Sequence, residues 1–147
     1  DEELKKLGGV SYTDEENLFA QELYKTLLNP DRVIGDQETI QPLVLSQTKG
    51  STDVGDVSWK VPTSGVRIAT WVPGTSSHSW QAVAAGGTSI GTKGSTLAAK
   101  ALANSAVRLF EEPALIKMAW NEHKANIGDH DYQALLGDRE PPLDYRK

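Results

Sequence analysis

The chain has 147 residues, 38% of them hydrophobic and 24% charged, with 13 glycines and 7 prolines; that is the mix of one soluble globular domain, able to bury roughly two-thirds of its unfolded surface. Fifteen basic against twenty acidic side chains leave a net charge of -5 with no basic stripe, and since phosphate contacts need concentrated positive charge, no nucleic-acid partner is expected. Cysteine is absent, which rules out disulfides and thiolate metal sites, and the longest apolar run, Ala82 to Ala85, is far short of the about twenty residues a membrane helix needs, so no membrane partner is expected.

No basic-then-apolar leader opens the chain, and a cytoplasmic location is the expectation. In chain order, Thr13-Asp14-Glu15-Glu16 reads as a capping box: the Thr13 hydroxyl accepts from the Glu16 amide while the Glu16 carboxylate reaches back. Phe19, Ala20, Leu23, Tyr24 and Leu27 then recur at helical spacing, and Asn29-Pro30 ends that helix. The middle, from about Val33 to Val72, reads as strands. Pro42-Leu43-Val44-Leu45 is a short apolar run, 53–59 follows it, and 66–72 alternates Val66, Ile68, Thr70 and Val72 with Arg67, Ala69 and Trp71. Pro62-Thr63-Ser64-Gly65 is the turn between the last two.

A second helix is expected from near Thr92 or Gly94 to Phe110, with Ala98, Leu102, Ala106 and Leu109 on its face. Pro113 suits the first position of a third helix, which runs to Asn126 and stops at Gly128. The tail with Pro141-Pro142 is expected to be extended.

Few residues invite chemistry. His78 sits in Pro73-Gly74-Thr75-Ser76-Ser77-His78-Ser79-Trp80, directly after the expected strand at 66–72, where loops tend to hold ligands. Its imidazole can bind a metal or move a proton; the competing expectation is a partly buried histidine bonded to a loop carbonyl. His123, among Asn121, Glu122 and Lys124, is expected to be a solvated surface residue. Asp129-His130-Asp131 reads as a charged turn, because adjacent residues rarely converge on one ion.

Gly50-Ser51-Thr52-Asp53-Val54-Gly55-Asp56 can expose backbone amides to an anion, with Asp53 and Asp56 able to orient a histidine. An ordinary turn with aspartates capping backbone groups accounts for the same residues. Gly86 to Ser95 fails as a phosphate loop, because Thr92 stands where lysine is required and Lys93 comes one place late. Tightly packed glycine backbone at a helix start is the better account. No Gly-x-Ser-x-Gly elbow supports serine hydrolysis.

Three segments in order carry a resemblance: Gly50 to Trp59, Pro73 to Ala84, and Ser89-Ile90-Gly91-Thr92-Lys93-Gly94 with Ala98-Ala99-Lys100 soon after. They resemble the zinc-dependent amidohydrolases of the aminoacylase and carboxypeptidase G type. The helix at 13–27 and the Pro141-Pro142 tail are similar to that family as well, whereas Ser95 stands where close relatives have methionine.

The resemblance implies the fold, an α/β zinc-exopeptidase-like catalytic domain with helices packed on a central β-sheet. It implies that residues 1–147 are the C-terminal half of that domain, with the lid domain and N-terminal half absent. It implies hydrolysis of an amide between an acyl or aroyl group and an amino acid, with a small-molecule amide as substrate and two divalent ions, zinc or manganese, as cofactors. His78 then matches a metal ligand, and Gly50, Ser51, Thr52 and Asp53 match the loop beside the substrate. Asp56 would orient a ligand. Nothing matches the bridging carboxylate or the general base, so weak metal binding and little turnover are expected of these residues alone. A homo-oligomer or association with the missing catalytic half is the expected partnership. The rival is a non-catalytic globular or assembly module that keeps the fold.

Overall fold

In a computed structural model the protein is described at residues 1–44 and 52–144. These residues fall into two units, one formed by 1–44 and 65–111, the other by 52–64 and 112–144. They form six α-helices and one 3₁₀ turn, with no strand among the described residues.

The first unit is organised around a charged cap. Helix α1 spans Glu2–Leu7, and α2 spans Asp14–Tyr24. Thr13 caps α2 as its sequence demands: the Glu16 amide donates to Thr13 Oγ1 at 3.3 Å, and the Thr13 amide donates to Glu16 Oε2 at 2.7 Å. A 3₁₀ turn at Asp36–Glu38 follows, with the Val10 amide bonded to the Gln37 carbonyl at 2.8 Å. After 65–79 come α4, Trp80–Gly86, and α5, Ser89–Glu111, which pack on each other. Ala20 and Leu23 of α2, Val72, Ala85 of α4 and Ile90 of α5 form the core, flanked by Tyr12, Phe19, Tyr24, Ile34, Trp71 and Ala84.

Helix α5 (Ser89–Glu111) is apolar on two sides. Ile90, Gly91, Gly94 and Ala101 are buried on one. Ala99, Leu102, Ala103, Ala106, Leu109 and Phe110 recur at helical spacing on the other, and all of them are exposed. The two sets adjoin, leaving Lys93, Thr96, Lys100 and Asn104 on the polar remainder, so the apolar arc is wider than the stripe this unit covers.

The second unit holds α3, Val54–Lys60, and α6, Pro113–Ile127, which begins with Pro113 in its first turn and ends at Gly128 with φ 55°. Proline suits that position because its missing N–H has no partner there in any helix.

The α/β expectation, with its central β-sheet, is overturned: the described residues are helical and contain no sheet. The alternation at 66–72 does not sort the side chains between two sides: Val72 is buried, and Trp71 packs on the core beside it. Nor does it supply the neighbouring strand that a ladder needs. That backbone lies against α5 instead, where a Cβ on Gly94 would stand 2.3 Å from the Ala69 carbonyl oxygen. At 53–59 the expected strand is helix α3; Val54, Val57 and Val61 are spaced i, i+3 and i+7, the helical period, and Asp53 O accepts from the Asp56 and Val57 amides. Pro42, Leu43 and Val44 join no element, and Leu45 lies outside the described residues.

Candidate functional site

The loop before α4 is anchored on both sides of His78. Gly74 has φ +82°, and a Cβ there would come within 2.6 Å of Pro30 Cβ, so only glycine lets the loop lie against Pro30. The Thr75 amide donates to the Val72 carbonyl at 3.1 Å, closing the turn. Ser79 then caps α4: its Oγ accepts from the Ala82 amide at 3.2 Å and donates to the Ser76 carbonyl at 2.7 Å. With both roles taken, Ser79 is a cap rather than a nucleophile.

Between those anchors His78 adopts φ +59°, one of two non-glycine residues with positive φ among those described. That conformation is uncommon for a residue with a Cβ. Such strain persists only where the surroundings impose it, and it concentrates at functional positions. His78 is exposed, which excludes the partly buried alternative. It borders an open recess of about 500 Å³, lined also by Trp71, Ser79, Trp80, Ala82 and Val83. The two indoles escaped the sequence reading; the signal was available in Trp80, two residues after His78 and at the first position of a helix.

The other candidates lie in the second unit. Gly50 and Ser51 are outside the described residues. Thr52 Oγ1 accepts from the Val54 amide at 3.4 Å, and Asp53 occupies the cap position of α3 without a side-chain capping bond. Asp56 does not orient a histidine: the Tyr132 hydroxyl donates to its carboxylate. That bond, together with some desolvation and the charge of Asp56, holds the Tyr132 phenol above its usual range. Lys60 Nζ donates to the Tyr132 carbonyl at 3.0 Å and lies 5.2 Å from the centre of its ring. Trp59 stacks on Tyr132 at 6.2 Å and meets His130 at 4.5 Å, so His130 is an aromatic contact of α3. His123 was expected on the surface and is instead buried, 8% exposed, with its ring edge-on to Trp120 at 5.5 Å. One apolar side chain a turn away was the missed signal: Trp120 precedes His123 by three positions and shares its helix face. Thr52 and Asp53 thus lie in the second unit and His78 in the first.

Among the described residues no three His, Cys, Asp or Glu side chains gather as a metal site. The recess offers one imidazole beside indoles, a hydroxyl and methyl groups. A zinc shell takes three or four protein ligands, so these residues do not form a metal centre by themselves. No helix among them is long and apolar enough to cross a membrane.

Comparison with known proteins places a relative beside this geometry. The chain is 32% identical to a p-aminobenzoyl-glutamate hydrolase subunit of Escherichia coli (strain K12) over 158 aligned positions, which take in 90% of the chain and 33% of the relative. The chain therefore spans about a third of the length of the curated relative it matches. No protein-family model matches the chain, and no solved structure matches it.

Proposed function

We propose that the chain is part of a hydrolase that cleaves the amide joining an acyl or aroyl group to an amino acid such as glutamate, and that His78 is the imidazole it contributes. The observation that carries the proposal is the match over 90% of the chain to a relative named as a p-aminobenzoyl-glutamate hydrolase subunit. The exposed His78, with its left-handed backbone, beside a recess supports it. An imidazole there can serve as a metal donor or carry a proton at the scissile amide, and the Thr75 and Ser79 bonds anchor the loop that bears it.

Divalent ions, zinc or manganese, belong to this proposal only for the complete enzyme, where His78 is one donor and the other ligands come from outside the described residues. Gly50, Ser51, Thr52 and Asp53 are proposed to lie beside the substrate. The relative's name calls it a subunit. We propose association with the rest of the hydrolase, whose surface covers the exposed stripe of α5 around Leu102, Leu109 and Phe110. The test is release of p-aminobenzoate from p-aminobenzoyl-glutamate by the complete product of the gene encoding this chain, with bound metal measured in the same preparation. Turnover with stoichiometric metal supports the proposal, and a well-folded, metal-loaded product without turnover refutes it.

A further inference from the structure

We propose that Trp71 and Trp80 select the acyl half of the substrate by holding a flat aromatic acyl group in the recess beside His78. This rests on the hydrolase proposal above and carries it from reaction to specificity. The lining consists of two indoles, an imidazole, one hydroxyl and the aliphatic side chains of Ala82 and Val83, with no carboxylate, ammonium or guanidinium among them. A carboxylate-bearing amino acid finds no opposite charge there, whereas a neutral ring finds apolar walls.

The two indoles play different parts. Trp71 is half-buried and packs on the core, and its carbonyl accepts from the Tyr12 hydroxyl at 3.3 Å. Its Nε1 lies 3.4 Å from where a Cβ on Gly86 would stand, an ordinary contact distance, so the ring lies against the end of α4. Trp71 is the fixed wall. Trp80 stands at the first position of α4, held by the Ser79 cap, and is 61% exposed. Its indole face stays in water until a ligand covers it. Offset or edge-on aromatic pairs are worth more than the area they bury. The recess, at about 500 Å³, is within the usual range for small-molecule sites. The p-aminobenzoyl group in the relative's name is an acyl group of this chemistry.

The test follows the indole N–H resonances of Trp59, Trp71, Trp80 and Trp120 in the ¹⁵N-labelled complete product of the gene. It is titrated separately with p-aminobenzoyl-glutamate and with N-acetyl-glutamate. Trp71 and Trp80 should shift selectively, and the aroyl compound should bind about tenfold more tightly than the acetyl one. Trp80→Ala should abolish that preference and Trp80→Phe should keep most of it. Equal affinities, shifts centred on Trp59 and Trp120, no shift with either compound, or a preference surviving in Trp80→Ala would each overturn the assignment. The readout is binding, so its outcome is separate from turnover: selective aroyl binding without hydrolysis by the complete gene product defeats the hydrolase reading and leaves the aromatic subsite standing.

Discussion

Glu16 and Lys93, 77 positions apart in the sequence, meet as an ion pair at 2.5 Å and tie α2 to α5. The Glu16 side chain is nearly buried, and it also accepts from Ser89 Oγ at 2.5 Å and from the Thr13 amide. The bond from Lys93, then the one from Ser89, hold the Glu16 carboxyl down at about 2, against a desolvation penalty that pushes the other way. A carboxylate with a depressed folded pKa adds stability that is present above its unfolded pKa and lost as pH falls through the folded one. Glu16→Gln keeps a capping-box side chain, since glutamine serves there, and removes the charge together with one acceptor oxygen. It should cost about 1–2 kcal/mol in urea unfolding at neutral pH. The difference from wild type should close as pH drops from about 4.5 to about 2. A difference that stays constant across that window contradicts the assignment.

Gly94 is the point where α5 admits the backbone of Ala69. In an open helix, Gly→Ala would stabilise by about 1 kcal/mol. Here the new methyl would stand 2.3 Å from a carbonyl oxygen and 2.9 Å from Thr70 Cγ2, and backbone cannot swing aside as a long side chain can. Gly94→Ala should therefore destabilise by about 2 kcal/mol or more, read as a lower urea midpoint. Thr92→Ala, at an exposed position two residues earlier, is the control that should change little.

Local chemistry was legible in the sequence; pairing was not. The Thr13–Glu16 box, the start of α6 at Pro113 and the close glycine packing of α5 follow from short-range rules, and the structure has all three. The 66–72 alternation needed a partner strand that no local rule provides, and the sheet expected there is absent among the described residues. Residues 54–60 carried β-branched valines that suit either state, and the 3.6-residue spacing was the deciding signal. At the candidate site, the prominence of His78 was readable from its loop. The indole of Trp71 was not, because the helix end it lies against, at Gly86, comes fifteen positions later.

Asp56 and Tyr132 offer a check on the second unit. The phenol is raised above 10.0 first by its bond to the Asp56 carboxylate. Asp56→Asn removes both that acceptor charge and its repulsion of the phenolate, so Tyr132 should ionise at lower pH. Ultraviolet titration of the tyrosinates, compared with Tyr132→Phe to identify the transition, measures this. An unmoved transition contradicts the pairing.

The left-handed backbone at His78 makes a prediction about stability independent of chemistry. A residue with a Cβ gives up about 1–2 kcal/mol in that region, while glycine's extra unfolded-state freedom costs about 0.5–1 kcal/mol. Of two variants that both lack the imidazole, His78→Gly should be the more stable, by about 1 kcal/mol over His78→Ala. Equal or reversed stabilities would show that the φ of +59° is not imposed by the loop.

The most direct measurement is turnover of p-aminobenzoyl-glutamate by the complete gene product carrying His78→Ala, with its thermal unfolding recorded alongside. A His78 that works at the scissile amide predicts a fall in kcat of about a hundredfold or more with the melting temperature little changed. Wild-type turnover by the folded variant contradicts that role.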